Sequence, residues 1–184
     1  CNGCPLNTYV PGTKTQIVVP TLTFTPSDIA PNQVQPGDVA PMARVLFHVD
    51  AGAVTPTSMD VDLTGTGAGA DISAVRAWRD NGDGGFSATT DTLLDTGTFV
   101  AGTVTLSLGF PVSSATDEIV WVTYTIAGGA TVGAFVGVRI VDATYVSAPG
   151  PAVVVCSGCP FDTYGVGVKT EIVAASVDTL TITL

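Results

Sequence analysis

Hydrophobic and polar residues alternate along several short stretches of the chain, which is the pattern of β-strands with one buried face. In residues 59–63 two aspartates separate three apolar residues, and residues 104–108 repeat the alternation with Thr and Ser at the polar positions. Residues 119–126 and 131–140 are more continuously apolar and predict buried strands. The predicted core residues of these two strands are Trp121, Val132, Ala134, Val136, Val138 and Ile140. Further strands are predicted at residues 16–25, 43–50, 72–79 and 98–101.

Turn-forming clusters separate these strands, and no stretch carries a sustained helical periodicity. The clusters at residues 64–67, 81–85 and 127–129 are rich in glycine, which favours turns. The prolines between residues 20 and 41 predict an extended surface connection after the first strand. Short strands with regular turn signals predict an all-β fold, an Ig-like antiparallel β-sandwich, and a barrel is the alternative.

The most specific feature of the sequence is an internal duplication. Residues 1–18 read CNGCPLNTYVPGTKTQIV and residues 156–173 read CSGCPFDTYGVGVKTEIV, so that eleven of the 18 aligned positions are identical. The match resumes after three extra residues in the second copy, where Thr-Leu-Thr-Ile at residues 179–182 repeats Thr-Leu-Thr-Phe at residues 21–24. Self-similarity at a fixed offset is typical of a tandem array.

The duplication also predicts how the chain is organised. We expect a Cys-rich joint segment at residues 1–18, a β-sandwich domain at residues 19–155, and at residues 156–184 a second Cys-rich joint segment followed by a strand for pairing between units. The CxGCP segments would form short loops or hairpins at the ends of the sandwich. Pairing of the last strand with a neighbouring copy would give a head-to-tail homo-oligomer or filament. A duplicated hairpin that flanks a single domain is the alternative.

The charge balance limits the partners of the chain. Sixteen acidic and six basic side chains give a formal net charge of −10. Such a field repels the phosphates of nucleic acids and anionic lipid head groups, so we expect no nucleic-acid partner. The longest apolar runs, such as residues 172–177, are too short to cross a bilayer, so we expect no membrane span. The same acidic field attracts divalent cations.

One acidic stretch, residues 80–91, is close to a calcium-binding pattern and reads DNGDGGFSATTD. Calcium takes about six to eight oxygen ligands from carboxylates, amides and carbonyls, and glycines allow a tight loop to turn those oxygens inward. The predicted ligands are Asp80, Asn81, Asp83, Ser87 and Asp91, with a carbonyl oxygen near Gly85. Calcium bound there would rigidify a long hairpin.

The loop departs from the EF-hand pattern at both ends. With Gly84 at the glycine position, Asn81 and Asp83 fall on ligand positions. Arg79 then falls on the first ligand position and Thr90 on the last, where EF-hands carry Asp and Glu. The loop is therefore not a standard EF-hand, and an Asp/Asn/Gly-rich turn without a metal is the alternative interpretation.

The four cysteines form two CxxC pairs, Cys1 with Cys4 and Cys156 with Cys159. In an oxidising compartment each pair could close its own disulfide, or the pairs could be cross-linked between copies. Four thiolates could instead hold one zinc or iron ion. Redox catalysis is a third interpretation, but such CxxC sites usually lie at a helix N-terminus, which this sequence does not predict. Disulfides are favoured, because the pairs hold equivalent positions in successive copies and would not converge on one metal.

A resemblance covers roughly residues 57–140. Residues 72–84 read ISAVRAWRDNGDG, and DTLL follows at residues 91–94. These stretches resemble the β-sandwich, Ig-like repeat modules of large secreted prokaryotic cell-surface proteins. The resemblance implies surface display and scaffolding without catalysis, and hence an extracellular or cell-surface location.

Catalytic constellations are weak in this sequence. His48 is the only histidine and lies two residues from Asp50 on the same face of a predicted strand, but no nucleophile motif such as G-x-S-x-G accompanies it. Asp60 and Asp62 share a strand face, as two glycosidase carboxylates might, yet a solvated outer face explains them more simply. We therefore predict that the chain is not an enzyme.

These observations predict a non-enzymatic extracellular structural protein, a head-to-tail repeat unit of a filament, sheath or surface layer. Two alternatives remain at this point. An adhesin or carbohydrate-binding module would group exposed aromatic side chains on one face, and Trp78, beside the acidic loop, is the residue to examine. A thiolate-metal protein would bring all four cysteines together.

Overall fold

The alternating stretches of the sequence form strands that pair in two large sheets. A computed structural model describes residues 18–165 and 170–175, so Cys1, Cys4 and the strand expected near residues 179–184 lie outside the described residues. Short 3-10 turns occupy Gly69–Asp71 and Ala143–Tyr145. The strands of the described part are β1 (Thr21–Asp28), β2 (Gln33–Val34), β3 (Val39–Val49), β4 (Ala53–Val54), β5 (Ser58–Gly65), β6 (Ile72–Arg79), β7 (Thr92–Gly97), β8 (Thr103–Ser107), β9 (Val112–Ser113), β10 (Glu118–Ile126), β11 (Phe135–Ile140), β12 (Val146–Ser147), β13 (Val153–Cys156), β14 (Phe161–Asp162) and β15 (Thr170–Ile172).

The first sheet has six strands in the order β13-β1-β3-β10-β6-β7. The second follows the path β12-β5-β11-β15-β2, with β14 added to β11 and β8 added to β5, and β4 pairs with β9 in a small separate ribbon. The predicted all-β sandwich is confirmed. Most pairs are antiparallel, but β13 runs parallel to β1 and β15 runs parallel to β2. Both parallel pairs join strands far apart in the chain, as parallel pairing requires a long connection.

Side chains from the inner faces of the two sheets form one core. Leu22, Phe24 and Phe47 are fully buried in the first sheet. Tyr124 of β10 is also fully buried, and its hydroxyl donates a 3.0 Å hydrogen bond across the core to the carbonyl of Gly137 in β11. Burial raises the pKa of Tyr124 well above its usual value. The Tyr124 bond therefore ties the two sheets together at a point where both are apolar.

Most of the predicted core residues are buried, and one is not. Ala134, Val136, Val138 and Ile140 are buried in the core, whereas Val132 is 57% exposed. Trp121 is buried too, but outside this core. Val132 lies in the turn before β11, because the strand begins only at Phe135. The strand predicted at residues 98–101 is reduced to a single bridge between Val100 and Thr103.

The prolines after the first strand are only partly in a connection. Pro26 lies within β1 and Pro41 within β3. Pro41 faces Thr123 at the point where the register between β3 and β10 shifts. Proline lacks an N–H group and is tolerated in a sheet mainly at edges or bulges, so a bulge explains how Pro41 occurs inside a central strand.

The second copy of the duplicated segment contributes strands to both sheets. Strand β13 ends at Cys156, opposite Phe24 of β1. Strand β14 pairs with the end of β11, and β15 pairs with the beginning of β11 on one side and with β2 on the other. Within the described residues, β2 is therefore joined to the second sheet only through β15.

Candidate functional site

The acidic loop connects β6 to β7 at one end of the first sheet. Its last residue, Asp91, is 8% exposed and closes the loop with both carboxylate oxygens. Oδ1 accepts the N–H of Asn81 at 3.2 Å, and Oδ2 accepts the N–H of Ser87 at 2.8 Å. Asp91 thus holds the two halves of the loop against each other.

Asp80 fixes the start of the loop to the sheet. Its Oδ2 accepts the N–H groups of Gly82 at 2.9 Å and Gly84 at 3.1 Å, and its Oδ1 accepts the indole N–H of Trp121 at 3.1 Å. Gly82 and Gly84 have φ angles of 100° and 75°, a backbone region that side chains with a Cβ rarely adopt. The glycines therefore let the loop curl around the Asp80 carboxylate.

The curled loop brings three of the predicted ligands together. Carboxylate oxygens of Asp80, Asp83 and Asp91 all lie within 4.8 Å of one another. Asn81 and Ser87 belong to the same loop, and each makes a bond inside it: Asn81 Oδ1 accepts the N–H of Asp83 at 3.0 Å, and Ser87 Oγ lies 3.0 Å from Thr89 Oγ1. Gly85 donates its N–H to Asp83 Oδ1 at 2.9 Å.

The charges around the loop are mostly negative. A cleft of about 430 Å³ is lined by the loop and by the segment that leads into β10. The cation nearest in sequence, Arg79, is held by two hydrogen bonds of 2.8 and 2.7 Å to Glu118. Among the described residues no salt bridge reaches Asp80, Asp83 or Asp91. Three clustered carboxylates without a paired cation favour a divalent ion between them.

The donor set fits calcium better than a transition metal. Carboxylate and amide oxygens are hard ligands suited to calcium, whereas the described loop contains no His or Cys. Asp80 Oδ2 accepts two N–H groups, but every other bonded carboxylate oxygen of the cluster accepts one and keeps a second lone pair for a metal, so the bonds inside the loop and a bound ion are compatible. The same bonds also stabilise the loop by themselves, as the alternative of a metal-free turn requires.

Three aromatic rings attach the loop to the outer face of the first sheet. Phe86, in the middle of the loop, packs edge-on against Trp78 at 5.9 Å and Trp121 at 6.4 Å between ring centroids. Trp121 is 4% exposed and Trp78 is partly buried. The indole N–H of Trp78 donates to Thr123 Oγ1 at 3.0 Å. We call Trp78, Phe86 and Trp121 the aromatic clasp; their ring contacts and the indole N–H of Trp121 hold the loop.

The cysteines of the second copy form a disulfide, Cys156 with Cys159. These two sulfurs are therefore not available as thiolates in this structure, and a site of four cysteines would require their reduction. Cys156 also ends β13, and the N–H of the next residue, Ser157, donates to Phe24 of β1 at 2.9 Å. The disulfide loop therefore leaves directly from a paired strand.

The histidine has a different partner from the one its strand suggested. His48 Nδ1 lies 2.7 Å from Asp117, and both side chains are about half exposed. Asp50 instead accepts the N–H of Thr21 at 2.7 Å, which holds the pKa of Asp50 below its usual value. A pair of His48 with Asp50, which their shared strand face made conceivable, is not formed among the described residues.

Sequence reasoning missed a buried polar cluster around Asp62, which was expected on a solvated face. Asp62 is 7% exposed and accepts hydrogen bonds from Tyr145 at 2.6 Å, Thr103 at 2.7 Å and Arg139 at 3.0 Å. Burial alone would raise the pKa of Asp62, but these three donors outweigh it and hold the pKa below its usual value. The alternation within β5 does not indicate this burial, because Tyr145, which contacts Asp62, comes from a distant 3-10 turn.

No protein-family model matches the sequence, and no curated protein sequence matches it. In structure the chain is similar to a chain from the complex of a CaDoc0917 variant with CaCohA2, crystallised at pH 5.5, with a TM-score of 0.36 and 13% identity over 83% of this chain and 99% of that chain. It is also similar to Spo0M, a sporulation control protein from Bacillus subtilis, with a TM-score of 0.31 and 12% identity over 88% of this chain and 51% of that chain. Both likenesses are too distant to bear on function. No helix among the described residues is long and apolar enough to cross a membrane.

Proposed function

We propose that this chain is a non-enzymatic structural module displayed outside the cell, one of a series of like units arranged head to tail in a filament, sheath or surface layer. The observation that carries the proposal is the position of the second duplicated segment, whose strands β14 and β15 are integral to the second sheet. In a series of such units, the segment that completes one sandwich also precedes the next sandwich. The duplicated segments of this chain have that arrangement.

The disulfide between Cys156 and Cys159 supports an extracellular location, because such bonds persist in oxidising compartments. The acidic residues with the lowest exposure also serve structure. Asp62 joins two strands to a turn, and Asp71 accepts the N–H groups of Ala68 and Thr131 at 2.7 and 2.8 Å. Carboxylates used in this way hold loops in place, which suits a module whose task is mechanical.

Calcium is the second part of the proposal. Asp80, Asp83 and Asp91 would supply carboxylate oxygens, and Asn81, Ser87 and a carbonyl near Gly85 would complete the shell, as about six to eight oxygens are needed. The ion would neutralise the clustered charge and fix the β6–β7 hairpin. The loop is already tied to the sheet by the aromatic clasp, so bound calcium would stiffen one end of each unit.

The aromatic clasp bears on the adhesin or carbohydrate-binding alternative. A sugar-binding face presents ring faces to solvent, whereas Phe86 meets Trp78 and Trp121 edge-on and Trp121 is buried. These contacts favour a role for the rings in fixing the loop, and the structural module is therefore the function that we propose.

Gold labelling of the source cells tests the proposed location and assembly. An antibody raised against the purified chain should label the cell surface or extracellular filaments, and averaged images should show a regular axial repeat. Label confined to the cell interior would overturn the proposal. Pre-immune serum on the same sections is the control.

A further inference from the structure

The first copy of the duplicated segment has the residues needed to complete a sandwich. We propose that residues 1–18 complete the second sheet of another sandwich of this kind, in the place that residues 156–165 and 170–173 fill in this one. The inference rests on the proposed head-to-tail series and names the contact that joins one unit to the next. We call residues 156–173 the closing segment.

Thr163 makes the first essential contact of the closing segment. It is buried, its N–H donates to the carbonyl of Val138 at 3.0 Å, and its Oγ1 accepts the N–H of Val138 at 2.9 Å. One threonine thus satisfies both main-chain groups of a residue in the middle of β11. The approach is close: a Cβ on Gly137 would lie 2.7 Å from Thr163 Oγ1.

Ile172 makes the second contact, at the other end of β11. Its side chain is fully buried, its N–H donates to Ala134 at 2.8 Å, and its carbonyl accepts the N–H of Gly133 at 2.8 Å. The next residue, Val173, donates its N–H to Val34 of β2 at 2.8 Å. Through these bonds the closing segment fills the space between β11 and β2.

The first copy keeps the groups that make these contacts. Thr8 stands at the position of Thr163, and Ile17 stands at the position of Ile172. Thr15 matches Thr170, which is buried and donates its hydroxyl to the carbonyl of Pro31 at 2.6 Å. The cysteine pair recurs as well, and Leu6 replaces Phe161 as an apolar residue. The glycine at Gly158, where φ is 98°, recurs as Gly3, and only glycine adopts that conformation readily.

Three of the differences between the copies fall where the described part of the structure tolerates them. Ser157, replaced by Asn2, is exposed. Gly165, replaced by Val10, is exposed, and a Cβ there would meet Asp162 at an ordinary 3.6 Å. Asp162 accepts the N–H of Tyr164 with one oxygen, and the amide oxygen of an asparagine, as at Asn7, can accept the same bond.

Residues 1–18 cannot fill this place on their own sandwich. Val18 corresponds to Val173 and would have to reach Val34, but only three residue steps separate Val18 from Thr21, a span of at most roughly 11 Å. Thr21 lies beside Asp50, just beyond the end of β3. Val34 lies near the opposite end, a short turn before β3 begins at Val39. β3 spans 11 residues, so Thr21 and Val34, which lie near its opposite ends, are roughly 20 Å or more apart even after the length of the short turn is subtracted.

The first test asks whether the first copy can act as a closing segment. In the full chain, the seven positions at which the copies differ (18 positions less the eleven identical ones) are changed in residues 156–173 to the residues of the first copy. We expect hydrogen exchange at the amides of Gly133 and Val138, whose bonds depend on the closing segment, to stay within about tenfold of the unaltered chain. Loss of protection at both amides would overturn the proposal.

The second test asks whether residues 1–18 act on another copy. The acceptor is the full chain with Ile17→Asp and Ile172→Asp, which disables both of its own segments, and the probe is a fluorescent, oxidised peptide of residues 1–18. We expect the peptide to bind and to restore protection at Gly133 and Val138. The same peptide with Ile17→Asp should bind on the order of a hundredfold more weakly, because it would bury an unpaired charge. A peptide of residues 156–173 is the positive control.

The outcomes separate this inference from the proposed function. Binding of the second-copy peptide without binding of the first-copy peptide would overturn the inference, even if gold labelling finds surface filaments. Binding of both peptides together with label inside the cell would leave the contact standing and overturn the proposed location. If the acceptor does not fold, the exchange of the seven-position variant decides alone.

Discussion

The hydroxyl of Tyr145 donates a 2.6 Å hydrogen bond to the carboxylate of Asp62, although the two residues lie 83 positions apart in the chain. Thr103 and Arg139 donate to the same carboxylate. Strands β5, β8 and β11 and the turn before β12 therefore meet at one buried charge. A carboxylate in this setting should influence both the stability of the fold and its response to pH.

Replacing Asp62 by Ala should lower the free energy of unfolding by about 1–3 kcal/mol at neutral pH, because a carboxylate that is only 7% exposed loses its three hydrogen bonds. The matched control is Asp60→Ala, on the same strand, where the carboxylate accepts one hydrogen bond from Thr105. Urea unfolding of both variants provides the measurement. Equal effects of the two substitutions would contradict a special role for Asp62.

The acid limb of stability should also depend on Asp62. Its pKa is lower in the folded chain than in the unfolded chain, so its contribution is present above the unfolded pKa of about 4 and is lost as the pH falls through the folded value. The free energy of unfolding should be measured from about pH 6 down to about pH 2, the range over which carboxylates protonate. It should fall less steeply in Asp62→Asn than in the unaltered chain. Parallel curves would show that Asp62 does not titrate in this way.

Tyr145 should control the alkaline limb. The hydrogen bond to Asp62 and burial raise the pKa of Tyr145 to about 12. A raised pKa favours the neutral form in the fold, so the contribution is complete below the usual tyrosine pKa of about 10 and is lost as the pH rises through about 12. Tyr145→Phe should flatten the dependence of the free energy of unfolding on pH in that window. Tyr164→Phe serves as the control for loss of a tyrosine hydroxyl, since the hydrogen bond to Asp62 comes from Tyr145. Thermal unfolding at a series of alkaline pH values would reveal the difference.

Calcium should bind the acidic loop and raise stability. Extracellular calcium modules bind with dissociation constants of about 10⁻⁴–10⁻³ M, so about 10 mM calcium would add roughly 1.5–3 kcal/mol. Asp83→Asn removes one of the three clustered carboxylates and should abolish most of this gain, whereas Asp60→Asn should keep it. Calorimetric titration of the chelator-treated chain is the direct measurement. No heat and no stabilisation in the unaltered chain would establish the metal-free turn instead.

The strand pattern of the sequence was informative because alternation reports burial directly. Strand β6 occupies the predicted residues 72–79, and Ala134, Val136, Val138 and Ile140, which the alternation places on the inner face, are buried. Pairing was not predictable in the same way, since the partner of a strand is not encoded in its own alternation. The parallel pairs of β13 with β1 and β15 with β2 depend on contacts between distant segments.

The same distinction between local and distant contacts applies to the candidate site. The aspartates of residues 80–91 were found because they are local, and a glycine-rich loop necessarily brings them close. The aromatic clasp and the Asp62 cluster were not found, because each depends on a residue brought in from another strand or turn. Asp62 alternates with apolar neighbours like a surface residue, and the side chains that contact its carboxylate come from β8, β11 and the turn before β12.

Phe86 should fix the position of the acidic loop. Phe86→Ala removes the ring that contacts both Trp78 and Trp121, and we expect a loss of roughly 1–3 kcal/mol, less than for a core phenylalanine because Phe86 is partly exposed. Tryptophan emission should shift to longer wavelength as water reaches the two indoles. Phe99→Ala, which disrupts a separate edge-on pair with Tyr124, is the control for a general loss of packing. Unchanged emission in Phe86→Ala would show that the clasp does not shield the indoles.

The disulfide should contribute modestly, because it closes a very short loop. Chain-entropy estimates for a loop with a sequence separation of 3 give roughly 2 kcal/mol at most. The variant with Cys156→Ser and Cys159→Ser should therefore remain folded and lose up to that amount in urea unfolding under oxidising conditions, where any bond between Cys1 and Cys4 is kept. A much larger loss would mean that the bond does more than restrict the unfolded chain, for instance by holding the end of β13 against Phe24 so that β14 reaches β11 in register. Exchange at the amide of Val138 distinguishes the two cases, since it becomes unprotected only if the closing segment leaves the sheet.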